Sequence, residues 1–207
     1  MSESLKIWDP LVRIGHWIVV LGFAIAYLVG DEALGLHVWA GYIVGIVVIF
    51  RIVWGFVGPQ KARFSDFVYR PRAVIAYLSG LIHFRAKRYL GHSPAGGAMV
   101  VVLLSMLAGT VITGMMTYGA DKKAGPLAPL YATGTTSGVQ ASKDSGESEG
   151  QESAIAELHD VFANLTLILV GLHVVGVALA SIVHRENLVA AMVTGRKRPG
   201  EDGRPAP

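Results

Sequence analysis

Four long apolar runs, at positions 11–30, 34–57, 95–118 and 161–183, are separated by segments rich in charge, glycine and proline. Each run supplies the roughly 20 residues that a helix needs to cross a 30 Å hydrocarbon layer, and the third contains no charged residue. Pro10 marks the start of the first helix, and Gly30 with Asp31 and Glu32 marks its end. The second stops at Gly58-Pro59, because proline removes a backbone donor and restricts the residue before it. The pattern predicts an all-α fold, an integral membrane four-helix bundle. No cleavable leader is expected, since the first run carries Arg13 and His16 and no small-residue cleavage site precedes the second.

Two weaker patterns lie between the runs. After Pro71, the apolar residues Val74, Tyr77, Leu78, Leu81 and Phe84 recur at spacings of three and four, with basic residues following. That fits either a helix lying in the membrane interface or an ordinary packed loop. Residues 132–153 are a Gly, Ser, Thr and Glu tract with little to bury, which predicts a mobile acidic external loop over about 119–155. A disordered basic tail is expected over 196–207. The whole reads as one domain.

Composition agrees with the pattern. The chain is 52% hydrophobic and 16% charged, against about 25% charged in an average soluble protein. Charge is distributed by side. Residues 58–94 carry Lys61, Arg63, Arg70, Arg72, Arg85, Lys87 and Arg88 against the single acid Asp66, whereas 119–160 carry seven acids and three lysines. The positive-inside rule then puts 58–94 and both chain ends in the cytoplasm and the acidic loop outside. The pI near 9.2 reflects this asymmetry. It points to anionic lipid beside the spans rather than to nucleic acid.

There are no cysteines, so disulfides, thiolate zinc sites, iron–sulfur clusters and covalent C-x-x-C-H haem attachment are excluded. The candidate chemistry lies in histidines, which are costly in hydrocarbon unless they have a task. His159 and His173 are fourteen residues apart on the last run, close to four turns, so they share a face and are separated by about 21 Å along the axis. His37, just after the outer Asp31-Glu32 turn, lies at the depth of His159. His16, just inside Arg13, lies at the inner end, where His173 and His184 both compete as its partner. Burial favours His173, because Arg185 and Glu186 place His184 at the headgroups. Two layers of paired rings suit bis-histidine ligation of two stacked, non-covalent haems of b type. A lone buried histidine is commonly just hydrogen-bonded, but four on three spans in two layers form a pattern. Structural zinc would bring cysteines, and a proton pathway would bring intramembrane acids. His83 and His92 read as loop residues. Arg13, Arg51 and Arg63 are candidates to hold haem propionates on the inner side, with snorkelling to the headgroups an equal alternative for Arg51.

Several segments carry a resemblance. Trp8-Asp9-Pro10-Leu11-Val12-Arg13 with His16-Trp17, Phe50-Arg51-Ile52-Val53-Trp54-Gly55-Phe56-Val57-Gly58, Ala62-Arg63-Phe64 and His184-Arg185-Glu186-Asn187-Leu188 are similar to motifs of the prokaryotic cytochrome b561 and nickel–iron hydrogenase b-type cytochrome family. The resemblance runs nearly end to end, omitting 119–153 and the tail. It implies a four-helix bundle with two b haems between the helices, in the bacterial inner membrane, exchanging electrons between quinone and a partner protein. It pairs His16 with His173 and His37 with His159, which settles the competition with His184. Trp17, His184 and Arg185 are then quinone candidates near the inner haem. Two departures stand out: Gly91-His92-Ser93-Pro94 replaces the family's usual Gly-His-Asn-Pro, and the external loop is long and acidic. The expected partners are the lipid bilayer, quinone, and a periplasmic c-type cytochrome, attracted by that loop, or a dehydrogenase or hydrogenase; a homodimer stays open. The alternatives are a hydrogenase membrane subunit, a superoxide:quinone oxidoreductase, and a cofactor-free membrane anchor.

Overall fold

The computed structural model describes residues 5–30, 32–89, 91–132 and 145–197. Residues 133–144, the centre of the expected external loop, and 198–207 of the expected tail lie outside the described residues. Eight helices are described: α1 (Pro10–Val29), α2 (Leu34–Val57), α3 (Phe64–Phe67), α4 (Pro71–Ile82), α5 (Pro94–Lys122), α6 (Ala128–Ala132), α7 (Ser145–Val183) and α8 (Leu188–Thr194). Four of them, α1, α2, α5 and the Ala154–Val183 part of α7, are long and apolar enough to cross a membrane.

Local chemistry sets the helix starts. The Asp9 carboxylate accepts from the backbone N–H groups of Leu11 and Val12 at 2.9 and 3.1 Å, directly ahead of Pro10. The Ser93 hydroxyl accepts from Gly96 N–H ahead of Pro94. The Asn187 side chain caps α8 through Ala190 N–H at 2.8 Å. Each such cap satisfies a backbone donor that the first turn leaves unpaired, and proline is preset for that turn.

Packing joins the spans in pairs. α1 runs against α2, α5 runs against α7, and α2 joins the two pairs through α5. The core at this junction is Val44, Val48 and Leu107, with Val19, Phe23, Ile52, Leu104, Ala108 and Val111 around it. Small residues let backbones approach, as helices in lipid require. A Cβ on Gly109 would collide with the Phe162 ring, and one on Gly22 would stand 2.8 Å from Val44. Thr110 and Thr166 hydroxyls meet at 3.2 Å across α5 and α7. Large aliphatic side chains such as Leu21, Leu28, Ile46 and Val175 face outward, as a lipid-contacting surface would.

Outside the four spans, further described segments are regular. α5 continues to Lys122 and α7 reaches back to Ser145, so the expected irregular stretch over 119–155 is largely helical where it is described. Of the two readings of the segment after Pro71, the helix is the one found: residues 71–82 form α4, with Tyr77 and Leu81 buried. The start of the expected disordered tail is ordered: Arg196–Lys197 pairs antiparallel with Leu5–Lys6, bringing the two described chain ends together. Lys197 is buried there, its ammonium 5.6 Å from the centre of the Trp8 ring.

Candidate haem and quinone sites

The histidines expected to pair do face each other. His16 on α1 and His173 on α7 have ring centres 6.4 Å apart, and His37 on α2 and His159 on α7 have theirs 6.0 Å apart. A metal–imidazole bond is about 2.0 Å, and a ring centre lies about 1.1 Å behind its nitrogen, so two imidazoles on one metal set their centres roughly 6.2 Å apart. Both observed separations fit a single bridging atom and are too long for a direct hydrogen bond between the rings.

Second partners set the outer pair's tautomers. His37 Nδ1 lies 2.9 Å from the Ala26 carbonyl of α1, and His159 Nδ1 lies 3.0 Å from the Thr110 carbonyl of α5. A carbonyl only accepts, so each Nδ1 carries the proton and each Nε2 keeps its lone pair. This is how metal-ligating histidines are usually oriented. The Thr113 hydroxyl adds a contact of 3.2 Å to His159. Gly114 gives the ring its room: a Cβ there would stand 2.9 Å from His159 Cε1.

The two histidine pairs lie where α7 approaches α1 and α2. α7 packs closely on α5 but makes few contacts with α1 or α2, so the histidine pairs bridge a slot. Tyr27 spans it near the outer end, donating to Asn164 Oδ1 at 2.8 Å. Gly41 lies one turn past His37 on the inward face of α2, and a Cβ there would meet nothing within 4 Å.

The arginines separate. Arg51 lies beside the Phe64 and Phe67 rings, with its guanidinium carbon 5.3 and 5.7 Å from their centres. Both of its terminal nitrogens are buried without a hydrogen-bond partner, leaving donors for an anion. Arg13 donates to the Val193 carbonyl of α8, and its Nε is buried and unpartnered. Gly195, with φ of 77°, fits closely under that guanidinium, since a Cβ there would stand 3.0 Å from Arg13 Cζ. Arg63 donates through Nε to the Gly58 carbonyl at 2.6 Å and is exposed, so it braces the loop after α2.

The quinone candidates divide between two places. Trp17 touches the His16 ring, with centres 5.3 Å apart. Together with Arg13, Ile14, Ile18, Leu21 and Val193 it lines an open groove of about 470 Å³ on the flank of α1. His184 lies elsewhere, with its Nε2 3.0 Å from the Tyr77 hydroxyl of α4. Burial, with Lys197 and Arg88 close by, pushes its pKa below the ordinary imidazole value. Arg185 holds a left-handed turn at φ 48° between α7 and α8.

Sequence reasoning missed two features on this side. His92 packs between Trp8 and Phe67, at centre distances of 4.6 and 4.4 Å. Burial, reinforced by Arg51 and Lys197, pushes its pKa down to about 3. Glu186, also buried, binds Arg88 at 3.0 Å. The only signal for either lay in the flanking motifs, Gly91-His92-Ser93-Pro94 and His184-Arg185-Glu186. Nothing in them showed which side chains would meet.

Four helices of spanning length with two layers of closely placed histidines are the arrangement a membrane cytochrome b would need. The family described as prokaryotic cytochrome b561 matches residues 7–195, and the chain belongs to it. It is therefore a multi-pass b-type cytochrome of electron transport. Among its relatives, the probable Ni/Fe-hydrogenase B-type cytochrome subunit of Azotobacter chroococcum mcd 1 is 26% identical, with the comparison covering 94% of this chain and 88% of that one. The protein of the same description from Azotobacter vinelandii is 25% identical over the same shares. That from Rhodobacter capsulatus is 20% identical over 94% of this chain and 81% of its own length. No solved structure matches significantly.

Proposed function

We propose that the chain conducts electrons across a bacterial inner membrane through two b haems, one between His16 and His173 and one between His37 and His159, linking quinone to a redox partner protein. The observation that carries this reading is the separation of the ring centres, 6.4 and 6.0 Å, in both layers. Bound there, haem iron supplies reversible one-electron chemistry, and saturation by two imidazoles favours electron transfer over oxygen binding.

The chain's own residues do the positioning. The Ala26 and Thr110 carbonyls hold the Nδ1 protons of His37 and His159, which would make Nε2 the ligating nitrogen of each. Arg51, with two unpaired terminal nitrogens, is placed to hold propionate carboxylates on the inner side, and Arg13 is a second cation there. Two layers separated by about 21 Å along α7 would place one haem toward each face of the membrane. Quinone would react in the groove beside Trp17 and Arg13, which opens along α1 next to His16. The basic 58–94 segment and both ends of the chain would lie in the cytoplasm.

The relatives described as hydrogenase cytochrome subunits favour a hydrogenase as the partner, over a soluble periplasmic cytochrome. The test is a reduced-minus-oxidised spectrum of the purified full chain with haem counted per polypeptide. Two b haems are expected, with one lost in His173→Ala. A well-folded, haem-supplied preparation with no Soret band would overturn the proposal and leave the membrane-anchor reading.

A further inference from the structure

Helix α4 presents three different sectors. At 3.6 residues per turn, Tyr77 and Leu81 share one face, and both are buried against the bundle. The next sector holds Ile75, Leu78 and Ile82, within about 60° of one another on a helical projection; they are 67%, 43% and 68% exposed. The third holds the exposed Arg72 and Ser79. Phe84, 65% exposed, follows two residues past the helix end. Arg70 and Arg72 stand at the start of α4 and Arg85 and Lys87 follow its end, all exposed, and the one acid in the whole 58–94 segment is Asp66.

A water-facing helix gains nothing from such a strip, and contiguous exposed apolar surface rimmed by charge marks an interaction site. The depth of α4 identifies what covers it. Tyr77 bonds His184, the first residue past the end of α7, so α4 crosses the ends of the spans where hydrocarbon gives way to headgroups. The basic residues at its two ends are complementary to anionic headgroups at that level.

We propose that the Ile75–Leu78–Ile82–Phe84 strip lies in the headgroup–acyl boundary and that Arg72, Arg85 and Lys87 bind anionic phospholipid of the adjacent leaflet. This makes α4 a lipid-binding element distinct from the electron path, and it depends on the membrane fold but not on the assignment of the haem ligands.

The chain has no cysteine, so single Ile82→Cys and Ser79→Cys variants of the full chain can each carry a spin label. In phosphatidylglycerol–phosphatidylcholine vesicles, the label at 82 should relax with oxygen dissolved in the bilayer and ignore an aqueous nickel chelate. The label at 79 should respond to the chelate. A label at 82 open to the chelate overturns the proposal. So does one shielded from both reagents, which is how a second copy or a partner protein on the strip would show. Independently, the triple variant Arg72→Gln, Arg85→Gln, Lys87→Gln should reduce phosphatidylglycerol enrichment in the retained lipid shell about fivefold or more at low ionic strength, with helix content unchanged. Unaltered enrichment in that folded variant counts against it equally.

Discussion

Gly114→Ala tests the outer site through a single methyl group. The new Cβ would stand 2.9 Å from His159 Cε1 and 3.2 Å from its Nδ1. Ordinary contact begins near 3.4 Å, so the ring must retreat by about 0.5 Å or α5 must separate from α7. Separation is resisted along the same face, where Gly109 already receives the Phe162 ring and Thr110 meets Thr166. The ring is therefore the element that moves, and it is also held by its Nδ1 proton on the Thr110 carbonyl. Metal–ligand distances tolerate only about 0.2 Å, and disturbing such outer-shell support typically lowers metal affinity about 10–100-fold. The variant should purify with close to one haem per chain, or with a weakly held second haem that dissociates on dilution, while the inner haem, about 21 Å away, keeps its spectrum. Gly35→Ala is the control, because Gly35 is an exposed α2 position where a Cβ meets nothing within 4 Å; haem content should be unchanged. Two tightly held haems with unaltered spectra in Gly114→Ala would refute the argument that His159 is a ligand confined by α5.

Arg51→Leu removes the two unpartnered guanidinium nitrogens while keeping apolar contact with Phe64 and Phe67. It should shift the inner haem's midpoint potential, read by redox titration, and an unchanged potential would separate Arg51 from the propionates. Glu186→Gln removes the carboxylate that binds Arg88 at 3.0 Å and acts on Lys197, at a cost of about 2 kcal/mol, which should lower the thermal midpoint in detergent by about 4–8 °C; no shift would mean that the ion pair contributes nothing. His92 is held neutral, with a folded pKa near 3 against an ordinary 6.5, so between those values the unfolded chain binds more protons and stability falls as pH falls. The slope approaches about 1.4 kcal/mol per pH unit. His92→Phe should flatten that dependence in acid melts, and an identical profile in the variant would show that another group sets it.

The legible features were those written in one helix's period. Four runs of spanning length, and two histidines fourteen apart on the last run, follow from the repeat of a single helix. Depth relative to Asp31-Glu32 and Arg13 then sorted His37 and His16 into layers. What stayed hidden was contact between distant segments. Lys197 against Trp8, His92 between Trp8 and Phe67, and Arg88 with Glu186 all require the two chain ends and the 58–94 segment to converge on one face. A charged residue near a terminus reads as solvated, since burial of Lys or Glu is rare without a partner, and the partners lie some 100 residues or more away. The acidic stretch poses a related difficulty, because composition reports what a segment can bury. It says less about whether an adjoining long helix such as α7 continues through part of it.

The same packing would give a haem ligated by the histidine pairs a structural share. α1 with α2 and α5 with α7 form two tight pairs, joined mainly by α2 against α5 around Val44, Val48 and Leu107. On the opposite side α7 meets α1 and α2 chiefly through facing histidines and the Tyr27–Asn164 hydrogen bond. A group ligated from both sides of that slot binds only the assembled bundle, and a ligand that binds the folded form alone stabilises it by about 2.7 kcal/mol at a hundred times its dissociation constant. The thermal midpoint of the full chain in detergent should therefore rise as haem is titrated in. His16→Ala and His37→Ala should each remove part of that rise, since each cuts one of the two bridges to α7. Equal midpoints with and without haem would mean that the α2–α5 seam alone holds the four spans together, and that the histidine layers serve electron transfer without contributing to the fold.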